Sequence, residues 1–213
     1  MKLTLNTFLS LDGVMQGPGG PDEDRSGGFD RGGWVVPFAD EDFGGVVSGW
    51  FAQTDEILLG RTTYDMMQAF WSKVTDPEDV VAAALNTRPK HVVSTTLRDP
   101  GWQNSSVIAG DVVAAVNELK AKPGGELQVH GSCGLAHTLH DAGLVDEYRL
   151  IIFPVVVGRG KRLFRDGSVP GSLTLIDSTV TAKGAVALTL RPAGALGAGD
   201  IDVIDGKEVV RQA

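Results

Sequence analysis

An α/β protein with a mixed, mostly parallel sheet, an antiparallel C-terminal edge and helices on both faces is the fold this sequence predicts. Three features point to it. Short apolar runs alternate with helix-like stripes between Leu3 and Gly143, the pattern of strands joined by crossover helices. After Asp146 no helix pattern remains, and residues 173–177 and 186–191 read as a hairpin that finishes the sheet antiparallel. Glycine and hydroxyl residues cluster directly after the strands, where ligands of such sheets bind.

The elements follow in order. Leu3, Leu5, Thr7 and Leu9 share one face of a first strand. Residues 12–33 hold eight glycines with Pro18 and Pro21, which predicts a long mobile loop of the kind that is functional or disordered in compact domains. Phe43, Val46, Val47, Trp50 and Phe51 recur at helical spacing, a stripe that must pack on a sheet. Residues 57–59 form a short buried strand that runs into Gly60-Arg61-Thr62-Thr63-Tyr64. Asp76-Pro77 reads as the N-cap and first residue of a helix reaching about Asn86, and residues 91–94 as the next strand. Asp111 caps a helix that carries Val112, Val113, Val116 and Leu119 and stops at Pro123. Leu127 and Val129 enter the turn Gly131-Ser132-Cys133-Gly134, which opens a helix lined by Leu135 and Leu139 and closed by Gly143 at the C-cap. Residues 148–157 form a long apolar strand. Past Arg191 an Ala/Gly linker leads to a small hairpin over 201–210 with an Asp205-Gly206 turn. A lone hairpin is unstable in water, so it docks on the body, docks on a second subunit or frays. The chain divides into a body, residues 1–191, and a linker with hairpin appendage, residues 192–213.

Composition excludes several classes. A 213-residue chain with 42% hydrophobic and 22% charged residues has an ordinary globular balance. The net charge of -8 disfavours nucleic-acid and anionic-membrane partners, which need a basic field. No stretch has the length of a membrane span, and the N-terminus alternates like a strand instead of carrying a signal core. The expectation is a cytoplasmic protein, and the single cysteine, Cys133, fits a reducing compartment.

The turn 131–134 is the most informative motif. Two glycines let backbone approach a ligand, and the first N–H groups of the following helix favour an anion such as a pyrophosphate. The same G-x-x-G pattern also serves as an ordinary strand-to-helix turn. Ser132 and Cys133 lack the flanking glycines of a nucleophile elbow, so a hydrolase is set aside. His137 and His140 have no accompanying carboxylate–histidine signature, and no metal is expected. Arg159, Lys161 and Arg162 form the one basic cluster of note, which suits either a phosphate or a solvated turn.

Five motifs in order carry a resemblance: Ser10-Leu11-Asp12-Gly13-Val14, 58–64, Val92-Val93-Ser94, Val129-His130-Gly131-Ser132, and 154–164. Together they resemble the dihydrofolate-reductase-like superfamily, and more closely its branch homologous to the C-terminal reductase domain of the bifunctional riboflavin biosynthesis protein. The resemblance spans about residues 2–191.

The resemblance implies an NADPH-dependent reductase, a homodimer, acting on a small heterocyclic or carbonyl-like substrate. By resemblance, Gly13, Gly60, Arg61, Thr62, Thr63, Gly131, Ser132, Cys133 and Gly134 take the cofactor, with Ser94 and Thr95 at the adenosine 2′-phosphate. Asp12, Trp34, Phe43, Arg159 and Lys161 are the corresponding substrate-side candidates. Dihydrofolate reductases carry a carboxylate at the start of the first helix; here the ungapped register puts Ala39 there, and Asp40 misses by one residue. A slip of one residue turns a helical side chain by about 100°. Asp40 is thus a weak catalytic candidate, better explained by the acidic preference of any helix start, and dihydrofolate is expected to be a poor substrate. Two alternatives remain. One is a riboflavin-pathway reductase of an aminopyrimidine ribosyl phosphate, though no deaminase domain with Cys and His zinc ligands is fused here; the other is an NADP-binding protein without catalysis.

Overall fold

The computed structural model describes residues 1–212. Among these, eight strands form one sheet in the order β4-β3-β2-β5-β1-β6-β8-β7. They are β1 (Lys2–Ser10), β2 (Thr54–Gly60), β3 (Lys90–Val93), β4 (Ser105–Ile108), β5 (Glu126–His130), β6 (Glu147–Phe153), β7 (Leu173–Val180) and β8 (Val186–Pro192). Every pairing from β4 to β6 is parallel, and β6–β8 and β8–β7 are antiparallel. The predicted fold class holds.

Five α-helices among the described residues cover the sheet: α1 (Glu41–Ala52), α2 (Arg61–Trp71), α3 (Val80–Thr87), α4 (Val112–Ala121) and α5 (Cys133–Asp141). Leu3, Leu5 and Leu9 of β1 pack with Val116 and Leu119 of α4 and with Leu135 and Leu139 of α5. On the opposite face Phe8 and Phe153 meet Phe43, Val47 and Trp50 of α1. Phe153 is fully buried and contacts the rings of Phe8, Trp34, Phe38 and Phe43 at centroid distances of 5.8–6.0 Å.

Several boundaries differ from the sequence expectation. Helix α3 starts at Val80 because Asp79, not Asp76, caps it, accepting from Ala82 N at 2.9 Å. Strand β6 ends at Phe153, before Pro154, which has no N–H for a ladder, and Val155 instead accepts from Leu11 N at 2.8 Å. Gly143, with φ 64°, sits one residue past the α5 C-cap and lets Leu144 N bond Leu139 O at 2.9 Å. Strand β4 was unforeseen: Ser105-Ser106-Val107-Ile108 is short and only half apolar, and pairs as an edge on β3. Residues 12–33 are not free along their length. Val14 bridges to Arg162, Met15 and Phe29 are buried, and Trp34 Nε1 donates to Gln16 O at 2.9 Å.

The C-terminal hairpin forms as β9 (Gly199–Ile204) and β10 (Lys207–Gln212), paired only with each other. Asp205 and Gly206 both take positive φ, 51° and 75°, as a tight Asp-Gly turn requires.

Candidate active site

A cavity of about 900 Å³ opens at the carboxyl ends of β1, β2 and β5. One wall is made by two strand-to-helix turns. Gly60, Arg61, Thr62 and Thr63 start α2, and Gly131, Ser132, Cys133 and Gly134 start α5. The turns are tied together: Gly60 N donates to Ser132 Oγ at 2.8 Å. A Cβ on Gly60 would stand 3.1 Å from Ser132 Cβ, a tight contact that glycine avoids. Gly131 and Ser132 both adopt left-handed backbone, φ 61° and 62°, which turns the chain from β5 into α5.

Helix capping separates these two helices from the rest. Asp40, Asp79 and Asp111 cap α1, α3 and α4 through hydrogen bonds to Phe43, Ala82 and Ala114 N. Helices α2 and α5 have no side-chain cap. The first N–H groups of a helix have no intrahelical partner, so both helix starts on this wall leave amides free for an anion. Gly134 lines the cavity, and a Cβ there would meet nothing within 4 Å, so the start of α5 is open on that side. These turns fit a pyrophosphate. Arg61 adds a guanidinium on the same wall, paired with Asp65 at 2.6 Å.

The facing wall is apolar, formed by Phe8, Phe43, Val47, Trp50 and Phe51, with Val35, Val36 and Ala39 from the segment before α1. The loop after β1 closes a third side with Met15, Gln16, Gly17, Pro18, Gly19, Glu23 and Asp24. Its two carboxyls differ. Burial pushes Glu23 up, against hydrogen bonds from Gly19 and Gly20 N. Asp24 is held low, because its bonds to Lys161 and Ser26 outweigh burial. Asn6 and His130 form part of the floor. The sequence reading missed Glu23, Asn6 and His130: only a loop fold and a strand register bring them to the cavity.

Other candidates lie elsewhere. Asp12 is not on the cavity wall; its carboxylate accepts from Ser10 Oγ at 2.7 Å, Val157 N at 2.9 Å and Gly158 N at 2.8 Å. Those bonds outweigh burial and lower its pKa to about 2, so it clamps the 158–162 turn onto β1 as a fixed anion. Gly13, φ 80°, is also off the cavity wall; it closes the turn after β1, with its N donating to Ser10 O at 2.9 Å. Trp34 is buried behind the wall. Asp40 caps α1 and also accepts from Lys183 N at 3.0 Å. The Phe43 amide above all holds it ionised, while Ala39 is the residue that lines the cavity. The basic cluster is spent on the loop acids: Arg159 with Asp30 at 2.6 Å, Lys161 with Asp24 at 2.6 Å and Arg162 with Asp12 at 3.3 Å. Of the three only Lys161 lines the cavity. Ser94 and Thr95 also stand outside it, just past Val93, which pairs in register with Gly60.

The remaining polar side chains near α5 have protein partners. His137 Nε2 meets Arg162 O at 2.8 Å, and His140 meets Tyr148 Oη at 2.7 Å. Burial pushes the Cys133 thiol up, away from a reactive thiolate. Among the described residues no cluster of His, Cys, Asp and Glu could hold a metal ion, and no helix is long and apolar enough to cross a membrane.

Known proteins resemble this chain in sequence or in fold. The uncharacterized protein YyaP of Bacillus subtilis (strain 168) is 30% identical over 188 residues, 87% of this chain and 92% of that one. A putative riboflavin biosynthesis protein from Shewanella sp. PV-4 superposes with a TM-score of 0.66 at 23% identity, over 90% of this chain and 99% of that one. Dihydrofolate reductase from Enterococcus faecalis, solved with NADP(H), superposes with a TM-score of 0.57 at 14% identity, over 90% and 96% of the two chains. Both likenesses show the dihydrofolate-reductase-like fold. Residues 1–187 match the RibD C-terminal domain, and the chain belongs to that family.

Proposed function

We propose that this protein is an NADPH-dependent reductase that transfers a hydride to a small heterocyclic or carbonyl-like substrate. The observation that carries the reading is the selective absence of caps: α2 and α5 present free amides to one wall of the cavity, while Asp side chains cap α1, α3 and α4. Family membership and the dihydrofolate-reductase-like fold agree with it. When bound, NADPH supplies the hydride; the chain supplies placement and exclusion of water. The amides of α2 and α5 with Arg61 hold the pyrophosphate. Ser94 and Thr95, one strand further along the sheet, suit the 2′-phosphate. The apolar wall holds a flat substrate, and the loop covers it. Glu23, pushed up by burial, is the carboxyl that the loop brings to the cavity wall.

The test is fluorescence titration with NADPH and NADH, followed by NADPH-oxidation assays on pterins, aminopyrimidines and small carbonyls. Tighter NADPH binding by tenfold or more is expected, since a charge-assisted phosphate contact contributes roughly 1.5–3 kcal/mol. Equal affinities would refute the 2′-phosphate assignment, and no binding would refute the reductase. Binding without turnover of any substrate would leave an NADP-binding protein. One narrower reading, an aminopyrimidine ribosyl phosphate as substrate, is included in the same assay and requires Lys161, the one cluster residue on the wall, to exchange Asp24 for the phosphate.

A cytoplasmic homodimer completes the proposal. Its support is edge strand β7, where Leu175 (54% exposed), Ile176 (47%) and Val180 (66%) meet solvent. Sedimentation showing a monomer at micromolar concentration would refute it.

A further inference from the structure

The C-terminal hairpin and the antiparallel edge of the sheet are two amphipathic surfaces that the chain leaves uncovered. In the register of β9 on β10, Ile201 stands opposite Val210 and Val203 opposite Glu208, so Ile201, Val203 and Val210 share one side of the hairpin. The other side carries Asp200, Asp202, Lys207 and Arg211 beside Ile204 and Val209, with an ion pair between Asp202 and Arg211 at 3.1 Å. The apolar side meets solvent: Ile201 is 66% exposed, Val203 71% and Val210 63%. The hairpin lies beyond residues 1–187, the part of the chain that matches the family.

The sheet edge offers a matching surface. Leu173, Leu175 and Val180 of β7 stand opposite Pro192, Leu190 and Val186 of β8, and Leu188 lies on the same face. A bulge between Leu175 and Asp177 shifts the alternation by one and returns Val180 to that face, leaving Thr174, Asp177 and Thr179 on the other. Helices α4 and α5 cover this side of the sheet over β1 and β5, but every residue of β7 is exposed. The hairpin is held off the β7–β8 pair of its own chain. Ser172, next to β7, binds the linker through Ala193 N, Gly194 O, Ala195 O and Gly197 N at 2.8–3.4 Å. Only Ala198 is left between the last of these bonds and β9, whereas a chain reversal takes a turn of about four residues. The lengths agree: strands of 6 residues in the hairpin span about 20 Å, and the 8 residues of β7 about 27 Å.

We propose that the hairpin is an exchange arm whose partner is a second copy of this chain: each protomer lays Ile201, Val203 and Val210 on the β7–β8 face of the other, against Leu173, Leu175 and Val180. This rests on the homodimer reading and names the surfaces that hold the dimer together. The exchange is reciprocal, as a two-fold axis requires, so two arms and two faces leave water together. It also docks a hairpin that is unstable alone in water, and it covers the open edge of the sheet.

The test is sedimentation of the full chain as wild type, as the arm variant Ile201→Glu/Val203→Glu, as the face variant Leu175→Glu/Val180→Glu, and as an equimolar mixture of the two variants. Threonine at the same four exposed positions, which keeps the strand preference, replaces glutamate wherever circular dichroism shows a variant unfolded. The wild type should be a dimer at micromolar concentration. Each glutamate variant should weaken dimerisation by about 100-fold or more, because charges are then desolvated against apolar side chains. The mixture should regain dimer, since the intact arm of the face variant meets the intact face of the arm variant. A dimer that survives either variant overturns the arm and leaves the homodimer reading standing. Dissociation of both variants without rescue in the mixture also overturns the arm, and a monomeric wild type overturns arm and homodimer together.

Discussion

The wall at Gly60–Thr63 and 131–134 presents backbone N–H groups at two helix starts, whereas the wall of Phe8, Phe43, Val47, Trp50 and Phe51 presents side chains alone. The first depends on local chain geometry, so it tolerates side-chain change except where a Cβ would collide. The second is the exposed inner surface of a packed core and stands or falls with that core. Removing side chains should therefore damage the two walls in opposite ways.

The largest effect is expected from Phe153→Ala. Phe153 lies behind the apolar wall, fully buried among four aromatic rings, and its loss should destabilise the protein by about 3–5 kcal/mol. Urea unfolding measures this. NADPH affinity in the surviving folded protein should be unchanged, because the glycine turns lie on the other wall; a parallel loss of affinity would mean that the walls are not independent.

Gly134→Asp should act the other way. The new Cβ has free space, and an acidic residue in the first turn stabilises a helix by about 0.3–1 kcal/mol. The same carboxylate would compete with the pyrophosphate, and NADPH affinity should fall about 100-fold, roughly 2.7 kcal/mol. A more stable protein that still binds NADPH normally would remove the α5 start from the cofactor site.

The pH dependence of stability sharpens the contrast at the floor. Burial, with Arg149 nearby, gives His130 a pKa of about 3 in the fold against 6.5 for the free side chain. The folded state thus binds fewer protons than the unfolded state between these values. Stability should be full above pH 6.5 and should fall as pH drops towards 3, by up to roughly 1.4 kcal/mol per unit from this group. Between pH 6.5 and 4.5 the slope should be flatter in His130→Phe; identical slopes would show that the imidazole is not held neutral.

Two smaller effects concern the loop and the first helix. Residues 19–24 should gain hydrogen-exchange protection when NADPH binds, while the pinned positions Val14 and Met15 are already protected without it. Asp40→Ala should cost about 1 kcal/mol as a lost N-cap and leave turnover per folded molecule intact. Abolished NADPH oxidation in that variant would instead make Asp40 catalytic.

Much of the frame was legible in the sequence. The strand-to-helix turns, the apolar stripe of α1 and the antiparallel finish depend on local periodicity and on glycine, which a short window of residues reveals. The α3 start was misplaced because Asp76 and Asp79 are both competent caps, and only the chain path through Pro77 and Glu78 decides between them. The Arg159, Lys161 and Arg162 cluster suited a phosphate and a solvated turn alike in the sequence, because its partners Asp30, Asp24 and Asp12 lie more than a hundred residues away.

By itself the sequence determined the layer order, the two glycine turns and the absence of a carboxylate at Ala39, since each depends on residues near one another in the chain. Tertiary structure alone decided which polar groups reach the cavity and in which state. Glu23 arrives on a folded-back loop, and Asn6 meets His130 only through the register of β1 on β5. The direction of their hydrogen bonds to Gln128 follows from Trp50 O and Glu126, which hold the Gln128 amide from a neighbouring helix and a charge network. Hydrogen-bond polarity is settled by the whole set of partners in space, and no one-dimensional pattern carries that information.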